Sequence, residues 1–178
     1  MRKNKAFDIA FVGLKNGQYQ FDYEIDNAFF ETFGTPEFQE SRLTVHMILD
    51  KKENFLQLDF EITGDIKINC DRCGDLFDMD IWDAFTLLVK RANDPQIAQT
   101  ENEDPHIAFI SHHETVMNVA KWIYDFALLS IPMQRIHPED EEGYSQCNPE
   151  ALKKLEDLKE DKTKENNPIW KGLEQFRK

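Results

Sequence analysis

The chemistry of this chain concentrates in Cys70-Asp71-Arg72-Cys73-Gly74, which uses two of its three cysteines. The third, Cys147, follows His137 by ten residues. Two close thiols, an imidazole and a distant thiol have the donor types of a tetrahedral zinc site, for which Cys70, Cys73, His137 and Cys147 would fill the shell. Three readings of Cys-x-x-Cys stand side by side. In a redox pair the first cysteine sits at a helix N-terminus, whose dipole lowers its pKa. Two incidental thiols are the plain alternative. A zinc knuckle fits the flanks best, because strand patterning runs up to the motif and away from it, and Gly74 can take the positive φ of the turn. His46, His106, His112 and His113 are rivals to His137 as the nitrogen ligand. A closed four-ligand shell would contribute folding energy and leave no open position for a reacting water.

Elements must bring these residues together. Leu43, Val45, Met47 and Leu49 alternate with polar residues, as do Leu56, Leu58, Phe60 and Ile62. Gly64-Asp65 reads as a turn, after which Ile66, Ile68 and Cys70 keep the alternation. Phe77, Met79, Ile81, Phe85, Leu87 and Val89 carry it past the knuckle. Period-two patterning with short connections predicts an antiparallel meander, open or barrel-like, with one buried face. Phe7, Ile9 and Phe11, then Tyr19, Phe21 and Tyr23, predict an early hairpin around Lys15-Asn16-Gly17. Asp26 to Phe33 suits a short helix.

Residues 91–106 read as an acidic loop. Ser111-His112-His113-Glu114 has capping-box spacing and predicts a helix to residue 130, with Val116, Val119, Ala120, Ile123, Phe126 and Ala127 toward the sheet. Pro132 stops it. Asn148-Pro149 opens another helix with Leu152, Leu155 and Leu158. Lys159 to Asn167 reads as a charged linker, and Asn167-Pro168 opens a last helix bearing Ile169, Trp170, Leu173 and Phe176. The expected fold is α+β: an antiparallel sheet packed by a helix, with a zinc-stapled helical C-terminal arm. Residues 1–40, 41–147 and 148–178 are its expected segments.

With 21 Lys and Arg against 34 Asp and Glu, the net charge is −13. That sign argues against sequence-blind nucleic-acid binding, which needs concentrated cations. It leaves room for a local basic patch or a basic protein partner. Lys67, Arg72, Lys90, Arg91 and Arg135 are the candidates for such a patch, with ordinary solvated charge as the alternative. Trp170 either caps the core or anchors a partner. The start Met1-Arg2-Lys3-Asn4-Lys5 leads into an apolar stretch broken at Asp8, so no export signal is expected. No run reaches the ~20 apolar residues of a membrane span, and a cytoplasmic location is expected. No phosphate-binding glycine loop, His-Glu-x-x-His or Gly-x-Ser-x-Gly motif is present, which disfavours an enzyme. Glu139-Asp140-Glu141-Glu142 reads as a solvated acidic loop.

Taken in order, these residues resemble the YceD family, described as 23S rRNA accumulation proteins of bacteria and plastids. Cys70-Asp71-Arg72-Cys73-Gly74 is similar to its Cys-x-Arg-Cys signature at a strand-to-strand turn. Leu128-Leu129-Ser130-Ile131-Pro132, with His137 and Cys147 beyond, resembles its Leu-Pro segment and downstream ligands. Asn167-Pro168-Ile169-Trp170-Lys171-Gly172-Leu173 resembles its closing motif. Some branches carry further C-terminal cysteines where this chain has Cys147 and His137. The resemblance implies a non-enzymatic role in large-subunit ribosomal RNA accumulation, with precursor large subunits, 23S rRNA or a basic ribosomal protein as partner. A thiol redox protein, a metal-dependent ribonuclease acting on precursor RNA, and a plain protein-interaction module are the alternatives.

Overall fold

The structure is a computed structural model that describes residues 5–164, with side chains described to residue 158. The elements are β1 (Asp8–Ile9), β2 (Gly17–Asp26), α1 (Asn27–Glu31), β3 (Glu40–Lys51), β4 (Phe55–Asn69), β5 (Leu76–Ala92), α2 (Pro95–Glu101), β6 (Ile107–Ser111), β7 (Met117–Asn118), α3 (Ala120–Leu129) and α4 (Pro149–Lys164). The chain divides into two compact units. One holds the residues up to Ile68 together with Phe77–Met133; the other holds Asn69–Leu76 and the chain from Gln134.

The first unit is built on a five-stranded sheet of order β2-β3-β4-β5-β6. The meander over β3, β4 and β5 follows the predicted alternation: Leu43, Val45, Met47 and Leu49, then Leu58, Phe60, Ile62, Ile66 and Ile68, are all buried. The sheet stays open, with β2 and β6 at its edges, so the barrel-like expectation is corrected. It is also not wholly antiparallel. β6 runs parallel to β5, with Leu88 opposite Ile107 and Ala92 opposite Ser111. The segment between them makes the crossover that a parallel pair requires.

That crossover corrects the expected acidic loop at 91–106. Asp94 caps α2 by accepting hydrogen bonds from the N–H groups of Gln96 and Ile97, and Pro95 stands in its first turn. The expected helix start at Ser111 is corrected too. Ser111 ends β6, and its hydroxyl accepts from the His113 N–H in a tight turn. α3 begins instead at Ala120, whose N–H donates to Asn118 Oδ1 at the end of β7. Val116 is accordingly exposed, while Val119, Ala120, Ile123 and Ala127 are buried. Phe126 stacks on Phe85 at 4.6 Å and meets Phe60 at 5.1 Å, so α3 does pack on the sheet.

Two turn readings also fail. Asn16-Gly17 is not a hairpin tip: β1 pairs with β7, and β2 pairs along its whole length with β3, from Gly17 opposite Lys51 to Asp26 opposite Arg42. Gly64 does not turn the chain but lies inside the continuous β4. Its φ is +142°, and a Cβ there would stand 2.1 Å from the Arg42 carbonyl oxygen, so the close approach of β3 to β4 requires glycine. The short helix after Asp26 is present as α1, whose Phe29 N–H donates to Asp26 Oδ1. In the second unit α4 begins at Pro149 as expected, but it runs on to Lys164, which corrects the linker reading for 159–164. The expected helix after Asn167, with Trp170, lies outside the described residues. Among the described residues no helix is long and apolar enough to cross a membrane.

Candidate metal centre

The knuckle is the tight connection between β4 and β5. Cys70 N–H donates to the Asp75 carbonyl and Gly74 N–H to the Cys70 carbonyl, which closes the turn. Gly74 takes φ +81°, as the turn requires. Peptide N–H groups therefore converge on the Cys70 sulfur, with Arg72 N–H 3.4 Å away. The other half of the site comes from the loop after α3. Nine residues separate His137 from Cys147, more than a simple finger uses. The loop removes that excess by folding back on itself, through a bridge between Glu139 and Ser145. Asp140 organises the fold-back: its Oδ1 accepts from the N–H groups of Glu142 and Tyr144, and Gly143 takes φ +84°. His137 and Cys147 thus flank the base of a small hairpin.

The four donor atoms lie within 4.8 Å of one another. Cys70 Sγ is 3.7 Å from Cys147 Sγ; His137 Nδ1 is 3.5 Å from Cys73 Sγ and 3.7 Å from Cys147 Sγ. Ligands at ordinary zinc bond lengths, arranged as a tetrahedron, stand about 3.8 Å apart for two sulfurs and about 3.6 Å for sulfur and nitrogen. These three of the six edges have such lengths, and the whole set lies within 4.8 Å. They are far too long for a disulfide, and all three thiols are free. Cys70 and Cys147 are 2% and 3% exposed, so a cation held here would be sealed on that side. This Cys3His group could hold a metal such as zinc.

The electrostatics suit a cation. Burial opposes ionisation of the Cys70 thiol, but the N–H groups of Cys73, Arg72 and His137 and the His137 ring overcome it and bring its pKa down to about 6. Burial pushes the Cys73 thiol up, reinforced by the neighbouring Cys70 charge against N–H groups of Asn148 and Asp75. The metal-free site thus holds one negative charge close to a reluctant second thiol.

Outer contacts clamp the two halves of the unit together. Asp71 is the clasp: its N–H donates to the Arg135 carbonyl at 2.6 Å, and its Oδ2 accepts from Arg135 N–H at 2.7 Å. The Arg135 guanidinium nitrogen Nε stands 3.6 Å from the same carboxylate oxygen. Arg72 Nη1 donates to Ser145 Oγ at 3.0 Å, and Ser145 Oγ accepts from Cys147 N–H. Asn148 Nδ2 reaches Asp75 Oδ2 while its Oδ1 caps α4 through Glu150 N–H. Such partners fix ligand orientation before any metal arrives. Sequence reasoning missed Asp71, Asp75, Asp140 and Ser145 as site residues, and read Asn148 only as the start of a helix. Of the four missed, only Asp140 carried a local signal, as the Asx-turn residue three positions before Gly143.

The rival histidines belong to the first unit. His46 Nδ1 lies 2.6 Å from Asp22 Oδ1, His106 faces the Thr86 carbonyl, and His112 and His113 follow β6. The expected cations divide similarly. Arg72 and Arg135 are in the knuckle's unit. Lys67 pairs with Glu40 at 3.3 Å and reaches Asp78 at 3.9 Å. Arg91 lies over the Phe11 ring at 5.1 Å, and Lys90 pairs opposite Phe109. Both stand near the C-terminal end of β5.

No curated protein and no solved structure matches the chain. A family model does: that of the large ribosomal RNA subunit accumulation protein YceD matches residues 58–177, a span that runs from the first part of β4 through the knuckle, α3, the His137–Cys147 loop and α4. With two thirds of its length covered, this chain belongs to the YceD family.

Proposed function

We propose that this chain is a non-enzymatic factor that supports accumulation of large-subunit ribosomal RNA by binding precursor large subunits. Family membership over residues 58–177 carries the reading. The local chemistry supports it. Cys70, Cys73, His137 and Cys147 would hold a structural zinc ion that links the knuckle to the loop before α4. Four protein ligands would leave the ion no open position, so its contribution is folding energy rather than catalysis. Arg72, beside the ligands at the tip of the hairpin, is the cation best placed to grip an RNA phosphate, with Arg135 in the same unit. A cytoplasmic place of action fits this role.

A thiol redox role is the second reading, favoured by the lowered pKa of Cys70. Two observations weigh against it. Cys70 is buried, and its motif sits between two strands rather than at a helix N-terminus.

Gradient sedimentation of a lysate containing the tagged chain, with RNA and protein identified in each fraction, tests the assembly reading. Comigration with large-subunit precursors but not mature ribosomes is expected. Arg72→Glu is expected to reduce comigration while retaining zinc, measured on the same preparation; retained zinc separates loss of a phosphate contact from loss of the Ser145 hydrogen bond. Migration of the wild-type chain only as a small free protein, at every salt concentration, would overturn the proposal.

A further inference from the structure

The solvent face of the sheet presents a second surface, distinct from the metal centre. Trp82 lies on β5 and is 70% exposed. Its Nε1 donates to Glu61 Oε1 on β4 at 3.3 Å. Glu61 is directly opposite His46 on β3, and His46 opposite Asp22 on β2. A single row thus crosses four strands and ends in an open indole. Beside the row, Asp80 is exposed two residues before Trp82, and Asp59 accepts hydrogen bonds from Gln57 and Thr86. Two cations of this face are already engaged, Arg42 with Asp65 at 2.9 Å and Lys67 with Glu40 and Asp78, and a third, Lys90, stands eight residues from Trp82 near the end of β5.

Folding does not call for this arrangement. Carboxylates gathered on neighbouring strands repel one another, and an exposed tryptophan gains little by burial. The combination suits one kind of partner. A guanidinium or ammonium stacks over an indole and is held by carboxylates around it. Tryptophan is also the residue type that most often dominates an interface. Phosphate would be repelled by the same carboxylates, which argues against RNA here.

We infer that the β2–β5 solvent face, centred on Trp82, docks an extended lysine- and arginine-rich protein segment. The inference rests on the assembly reading for the source of that segment, a basic protein of the precursor particle. The surface then complements the knuckle: one contacts protein, the other RNA.

The test uses the full chain and a fluorescein-labelled peptide of alternating lysine and arginine, followed by anisotropy at physiological salt. Trp82→Ala is expected to weaken binding about tenfold. The double variant Glu61→Gln, Asp80→Asn is expected to do the same. A charge-matched control, Glu141→Gln with Glu142→Gln in the exposed loop near the metal centre, is expected to change it less than about twofold. Thermal melting confirms that each variant folds. Equal weakening by both double variants with Trp82→Ala unaffected would mean diffuse attraction by net charge and would overturn the inference. So would a labelled single-stranded RNA that binds the wild-type chain and is lost in Trp82→Ala. Sedimentation of the Trp82→Ala chain separates the two proposals. If the wild-type chain does not comigrate with precursors, the assembly reading fails; if it does and Trp82→Ala comigrates equally, only the docking surface fails.

Discussion

At the scale of single residues, the two knuckle thiols, both candidate metal donors, differ in charge. Cys70 is charged at neutral pH because N–H groups surround its sulfur, whereas Cys73 resists ionisation. Thiolate absorbance of the metal-free protein under reductant should therefore show one group titrating near pH 6, and Cys70→Ser should remove it. The linkage has a definite sign. A thiol lowered on folding adds stability that is full above its unfolded value, about 8.5, and is lost as pH falls through about 6. Raised Cys73 acts oppositely, its contribution being full below that unfolded value and lost above it. Stability of the metal-free protein should thus rise from pH 6 and pass through a maximum near the unfolded thiol pKa. Cys73→Ser removes one ligand of a closed shell. It should abolish stoichiometric zinc and lower the unfolding free energy by several kcal/mol, on the order of the folding energy that structural zinc supplies, read as a fall in the denaturation midpoint; an unchanged midpoint would rule out the staple.

At the scale of elements, alternation was enough to place β3, β4 and β5, because a sheet with one buried face writes its period directly into the sequence. The same alternation carries on from Ile66 and Ile68 to Cys70, which follows the end of β4 by one residue and is buried. What alternation lacks is the identity of the neighbour. Residues 17–26 have strand character whether they pair backward or forward, and Asn16-Gly17 suggested the wrong partner. Gly64 was misread for a similar reason. Glycine marks either a turn or a close approach, and only the Arg42 carbonyl on the facing strand decides which. Gly64→Ala should test this. A Cβ cannot stay 2.1 Å from that oxygen, and φ +142° is strained for alanine. The expected cost is about 2–4 kcal/mol, read as a fall in Tm with zinc content preserved. Capping signals failed where two elements competed: Ser111 had the spacing of a helix cap but ended a strand held by parallel pairing to β5. The candidate site was legible as four residue types and not as a geometry. The Asp71–Arg135 clasp and the fold-back at Glu139–Ser145 involve backbone partners that no spacing announces.

At the scale of the whole molecule, the two compact units differ in what holds them. The first has a continuous apolar core, from Phe7 and Phe30 through Leu58 to Ile123. The second has Cys70 and Cys147 as its buried apolar residues among those described, and its contacts are hydrogen bonds around a cluster of thiols. Metal removal should therefore act on one unit more than the other. Hydrogen exchange with and without a chelator is expected to show lost protection over residues 134–158 and retained protection over 43–62. Uniform loss would mean that one cooperative transition spans both.

The ligand order along the chain has a consequence for synthesis. Cys70 and Cys147 are 77 residues apart. At ordinary elongation rates, the growing chain carries the knuckle with an incomplete donor set for roughly 4–15 s before the last ligand is made. During that interval a bound ion would have vacant positions, and the sulfurs would be open to oxidants and to competing soft metals. The fold-back at Glu139–Ser145 sits immediately ahead of Cys147, so the residues that place the final donor are made just before it. For a site that takes up zinc, correct loading would be a matter of timing as well as affinity.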